Sequence, residues 1–136
     1  MMLKASIQHA DSASEELGEL GIEDAYQRLV AIDWAEELRR FCERFVRRMQ
    51  ACPPGFYLSR ANGEYMACYP ASEGRFVLTI QVQRKAALLF WRRSKHFAVM
   101  PESEGKLREL IAMFATADSA ALMQGLSAEP QLDKVM

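Results

Sequence analysis

The chain has 136 residues with a formal net charge of −1; half its residues are hydrophobic and 26% are charged. That length fits one folded unit with a real core, and the composition excludes a disordered or low-complexity chain. No apolar run is long enough for a membrane span.

The opening Met1-Met2-Leu3-Lys4-Ala5-Ser6 lacks the apolar stretch of a secretory leader, so a cytoplasmic protein with no membrane partner is expected. Cys42, Cys52 and Cys68 form no Cys-x-x-Cys pair, and His9 and His96 stand far apart. A Cys/His metal framework therefore has no usable spacing, and the expectation is reduced thiols with neither metal nor cofactor. Charge is uneven along the chain: residues 1–33 carry −5, residues 34–108 carry +7 and residues 109–136 carry −3.

In chain order, the N-terminal third reads as helical. Ser12 or Ser14 can cap a short helix through Leu17 and Leu20 that stops at Gly21, and a second helix runs from about Glu23 to Ala31. Asp33 is a fresh N-cap with Glu36 three residues on. From there Leu38, Phe41, Cys42, Phe45, Val46 and Met49 fall at helical spacing, predicting a helix to about Ala51 whose apolar stripe packs along a sheet. Cys52-Pro53-Pro54-Gly55 ends it.

Strand signals follow. Phe56–Arg60 and Glu64–Tyr69 flank Ala61-Asn62-Gly63, and a two-residue Asn62-Gly63 turn would pair Phe56 with Tyr69 and Leu58 with Ala67. Arg75–Gln83 alternates, with Phe76, Leu78, Ile80 and Val82 on one face. Turns at Arg84-Lys85 and Ser94-Lys95 would then define two more strands, 86–93 and 96–100. A C-terminal helix carries Leu107, Leu110, Ile111 and Phe114, and Asp118 caps a last one reaching about Gln124. The expected architecture is a single α+β domain over residues 1–126. Residues 12–51 are helical, 55–100 form an antiparallel meander of four to five strands, 102–124 are helical, and 127–136 form a loose tail.

No motif for catalysis is present, and Cys52, Cys68 and His96 have no group that would orient them as a nucleophile and base. Recognition is the better expectation: a small non-catalytic protein-binding module of inhibitor, immunity, antitoxin-partner or chaperone type, as in small bacterial regulatory proteins. With the turns above, Leu88, Phe90, Phe97 and Val99 share a second apolar sheet face rimmed by Arg75 and Arg92, suited to a protein partner or a homodimer. The alternative is nucleic acid on the basic, aromatic-containing middle, through Arg44, Arg48, Arg84, Lys85, Arg93 and Lys95.

Overall fold

The computed structural model describes residues 2–71, 74–85 and 92–132. Within them six strands form one antiparallel sheet and four helices accompany it, an α+β architecture. The strands are β1 (Leu3–Gln8), β2 (Ser14–Leu20), β3 (Gly55–Ser59), β4 (Tyr65–Pro70), β5 (Phe76–Lys85) and β6 (Arg92–Val99). The helices are α1 (Ile22–Ala31), α2 (Trp34–Val46), α3 (Glu104–Thr116) and α4 (Ser119–Ser127). Strand order is β2-β1-β3-β4-β5-β6, so only the step from β1 to β3 skips a strand in sequence, and α1 and α2 lie in that connection.

Two rows of side chains across the sheet make the core. Ile7, Phe56, Cys68, Leu78 and Val99 are successive cross-strand partners, as are Ala5, Leu58, Met66, Ile80 and Phe97. Alternate residues of a strand share a face, so both rows point one way. They meet Tyr26 and Leu29 of α1, Leu110, Ile111 and Phe114 of α3, and Leu122 and Leu126 of α4 in one buried cluster. The opposite face carries Lys4, Tyr57, Tyr65, Thr79, Gln81 and His96, all partly or fully exposed. There Tyr57 and Tyr69 meet edge to face at 5.9 Å, and a side chain at Gly55 would come within 3.1 Å of the Tyr69 ring.

Strands β1 and β2 form a hairpin, so the helix expected from Ser12 or Ser14 through Leu20 is a strand instead. Leu3, Ala5 and Ile7 are buried while Lys4 is exposed, a period of two that Ser- and Glu-rich flanks obscure in the sequence. The β1–β2 register shifts between Ala5 and Ser6, opposite Gly18 at φ +76, a bulge that glycine accommodates. Helix propensity is a weak prior, and the ladder that β1 makes with both β2 and β3 overrides it.

Registers depart from expectation at two turns. Gly63 N–H bonds Arg60 O, and Arg60 N–H bonds Glu64 O, so the loop holds three residues, Ala61 to Gly63, with Gly63 at φ +87. Phe56 therefore pairs with Cys68 and Leu58 with Met66. One residue of slip exchanges the faces, placing Met66 and Cys68 in the core instead of Ala67 and Tyr69. Among the described residues between Arg75 and Met100 the strands are β5 and β6, and most of the expected strand 86–93 lies outside those residues. Lys85 pairs with Arg92 and Arg84 with Arg93, so Ser94-Lys95 lies inside β6 and is no turn. That pairing sets Phe97 opposite Ile80 and Val99 opposite Leu78, on the core side.

Helix boundaries follow their caps. Asp33 accepts the Glu36 N–H, Ser103 the Lys106 N–H and Asp118 the Ala121 N–H. After α4, which runs past Gly125 to Ser127, Gln131 donates to Leu126 O and accepts from Ala98 N–H, and Lys106 meets Glu129 at 2.5 Å.

Candidate functional site

Helix α2 has the strongest amphipathic pattern in the chain, yet it turns most of its apolar stripe to solvent. Phe45 is 71% exposed, Val46 79% and Met49 49%, and Cys42 is exposed as well. Leu38 and Phe41 are half-buried. The expectation that this stripe packs along the sheet is corrected here, because α1, α3 and α4 already fill the covered face. Phe41 and Phe45 lie against each other at 6.2 Å, so the exposed rings are neighbours on one ridge.

Three sets of contacts hold the helix. At its start, Trp34 packs edge-on against Phe76 at 5.9 Å and donates from its indole N–H to Leu29 O. One turn on, Glu37 is nearly buried and accepts two hydrogen bonds from the β1–β2 turn: His9 Nδ1 at 2.8 Å and Ala10 N–H at 3.0 Å. Beyond the helix, Cys52 N–H bonds Ala10 O, and Cys52 Sγ lies 3.2 Å from Ser12 Oγ.

Helical order comes from local pairs on the polar side. Glu36 bonds Arg39 and Arg40, and Glu43 bonds Arg39, at spacings of three or four residues. The Arg39 hydrogen bond is the main cause that holds the Glu36 carboxyl down at about 2. The helix stops at Val46, five residues short of the expected Ala51. Arg48 N–H bonds Phe45 O, Met49 N–H bonds Arg44 O, and Arg48 adopts φ +55, a Schellman closure with arginine where glycine is usual.

At the foot of the helix the ridge joins a groove of about 660 Å³, lined by Val30, Ile32, Trp34, Ala35, Leu38 and Phe76 among others. The groove and the ridge share Leu38. Arg75 stands on the groove wall.

The residues expected to bind a partner lie only in part among the described ones. Phe97 and Val99 are 3% and 2% exposed and belong to the core. Leu88 and Phe90 lie outside the described residues, and Arg92 is placed by its backbone pairing with Lys85. The basic set divides between two ends of the sheet. Arg44 and Arg48 belong to α2 and its cap, beside the β1–β2 turn, whereas Arg84, Lys85, Arg93 and Lys95 occupy the far end of the β5–β6 hairpin. Lys95 lies over the Phe97 ring at 5.2 Å.

Cys68 is fully buried, and burial pushes its thiol up to about 12, the character of a packing residue. His96 is exposed on β6. Among the described residues no group of three His, Cys, Asp or Glu side chains could hold a metal ion, and no helix is long and apolar enough to cross a membrane. The His9–Glu37 tie, with Glu15 at 3.3 Å from the other ring nitrogen, has no sequence signal, since its members stand 28 residues apart. No protein-family model, curated protein or solved structure matches the chain.

Proposed function

We propose that this chain is a non-catalytic protein-binding module whose working surface is the α2 ridge and the groove at its foot. The observation that carries the reading is the exposure of Phe45 and Val46 on a helix that is capped, ion-paired and fastened to the fold by Trp34 and Glu37. An ordered helix with an outward apolar stripe exposes surface that association would remove from water, at about 25 cal/mol per Å² buried. Arginines flank the ridge, and aromatic residues with arginines are the composition interface hot spots favour.

The test compares wild type with a Phe45→Asp/Val46→Asp double variant that keeps the wild-type circular dichroism. Protein association, with itself or with a partner retained after nuclease treatment, is expected for wild type and lost in the variant. Equal association by both chains would overturn the reading. Nucleic acid ranks lower because the basic residues divide between opposite ends of the sheet. Tight, salt-sensitive oligonucleotide binding lost in Arg44→Glu/Arg48→Glu would reverse that order.

A further inference from the structure

We infer that His9 is a proton-operated latch: its cationic form docks α2 on the β1–β2 turn, and loss of the proton loosens the helix from that turn. The device goes beyond the proposed binding role of α2 and holds whether or not the ridge takes a partner.

Geometry carries the argument. The His9 ring stands between two carboxylates, with Nδ1 2.8 Å from Glu37 Oε1 of α2 and Nε2 3.3 Å from Glu15 Oε2 of β2. An ionised carboxylate only accepts, so both contacts are hydrogen bonds only when both ring nitrogens carry protons, the imidazolium form. A neutral ring turns a lone pair on one of the two carboxylates. Glu37 is nearly buried and also receives Ala10 N–H at 3.0 Å, whereas the Glu15 side chain is 55% exposed. The remaining proton therefore stays on Nδ1, and Glu15 is the carboxylate that turns away into water.

The charges around the ring set the sense of the switch. Glu37 faces it from α2, Glu15 from β2 and Asp11 from its own turn, while Arg44 of α2 attracts the same Asp11. The His9 cation is what lets Glu37 lie beside this acidic turn, and without its charge the carboxylates repel. The Glu37 hydrogen bond leads in raising the His9 pKa above 6.5, against burial, so release falls above that pH.

The reach of the latch follows from what the turn holds. Trp34 fixes the start of α2. Further on, the segment is tied at Glu37 and, past the helix, at half-buried Cys52, whose N–H bonds Ala10 O and whose Sγ lies 3.2 Å from Ser12 Oγ. Both ties end on residues 9–12, so one turn fastens the segment before and after its exposed stripe.

The experiment uses the full chain and reads the Cys52 thiol against the exposed Cys42. The ratio of their alkylation rates is followed by peptide mass from about pH 5.5 to about pH 8.5, a span that brackets an ordinary histidine. The His9 ring is titrated in parallel by NMR, its resonance being the one missing from His9→Gln. In wild type the Cys52-to-Cys42 ratio should rise about fivefold, the scale of a partly exposed ion pair, with the midpoint of the His9 titration. In His9→Gln, whose amide still donates a hydrogen bond but cannot titrate, the ratio should stay flat. Glu15→Gln, a second variant at an exposed position, should lower both midpoints together. A flat ratio in wild type overturns the inference, as does a rise that persists in His9→Gln or whose midpoint departs from that of His9. Unchanged midpoints in Glu15→Gln overturn it too, because they remove the two-carboxylate demand for the proton. Each of these outcomes is read without a partner and leaves the proposed binding role to its own test.

Discussion

Glu37 of α2 receives the His9 ring at 2.8 Å, across 28 residues of sequence, and so joins the exposed helix to the β1–β2 turn. The Glu37 hydrogen bond is the largest influence on His9 and raises its pKa above 6.5; burial opposes it, and Glu15 adds to it. A raised histidine pKa means the folded state binds the proton more tightly. The stabilisation is complete below about pH 6.5, the unfolded value, and is lost as pH rises through the folded one. Melting temperature should therefore fall as pH increases above 6.5, and His9→Gln should flatten that dependence. Identical pH profiles for the two chains would show that the tie contributes nothing.

Phe45→Ala should change stability by less than about 0.5 kcal/mol, the surface scale, whereas Phe114→Ala should cost about 3–5 kcal/mol. The two rings differ only in where the tertiary structure puts them, 71% exposed against fully buried. Denaturant melts of the two variants at low protein concentration check the contrast.

The fold closes around a second ion pair, Arg60 with Glu64, whose side chains are 8% and 0% exposed. Burial pushes the Glu64 carboxyl up, but hydrogen bonds from Arg60, Gln83 N–H, Asn62 and Ser119 together hold it below the usual carboxylate range. Arg60 also donates to the carbonyls of Phe114 and Ala117, fastening the β3–β4 turn to the α3–α4 junction. Glu64→Ala should cost roughly 3–5 kcal/mol, because it strands a buried guanidinium. The same carboxyl's contribution is present above the unfolded value and is lost as pH falls through the lowered folded value. Acid unfolding of wild type and Glu64→Gln compares the two directly.

Arg48 holds φ +55 at the close of α2. A left-handed conformation costs an L-residue about 1–2 kcal/mol, and glycine avoids it. Arg48→Gly should raise stability by about 0.5–1 kcal/mol after the extra unfolded-state entropy of glycine is subtracted. A lower melting temperature for Arg48→Gly would mean the arginine side chain outweighs the strain.

The sequence by itself determined what depends on neighbours within a few residues. The Asp33 and Asp118 caps are local competitions for backbone N–H groups, and the turn at Asn62-Gly63 comes from left-handed backbone preference, so both signals are legible without a fold. The α2 stripe was legible as well, since helical period is a property of spacing. What spacing cannot state is which side of a helix or strand finds a partner. Phe97 and Val99 became core because β6 pairs Arg93 with Arg84, a register set by contact across the sheet. The N-terminal hairpin formed because β3, fifty residues on, supplies β1 with a second ladder. Only the tertiary structure decided that three other helices would cover the sheet. With that face filled, the apolar stripe of α2 had no core left to join, and the residues that read most clearly as interior stand on the outside.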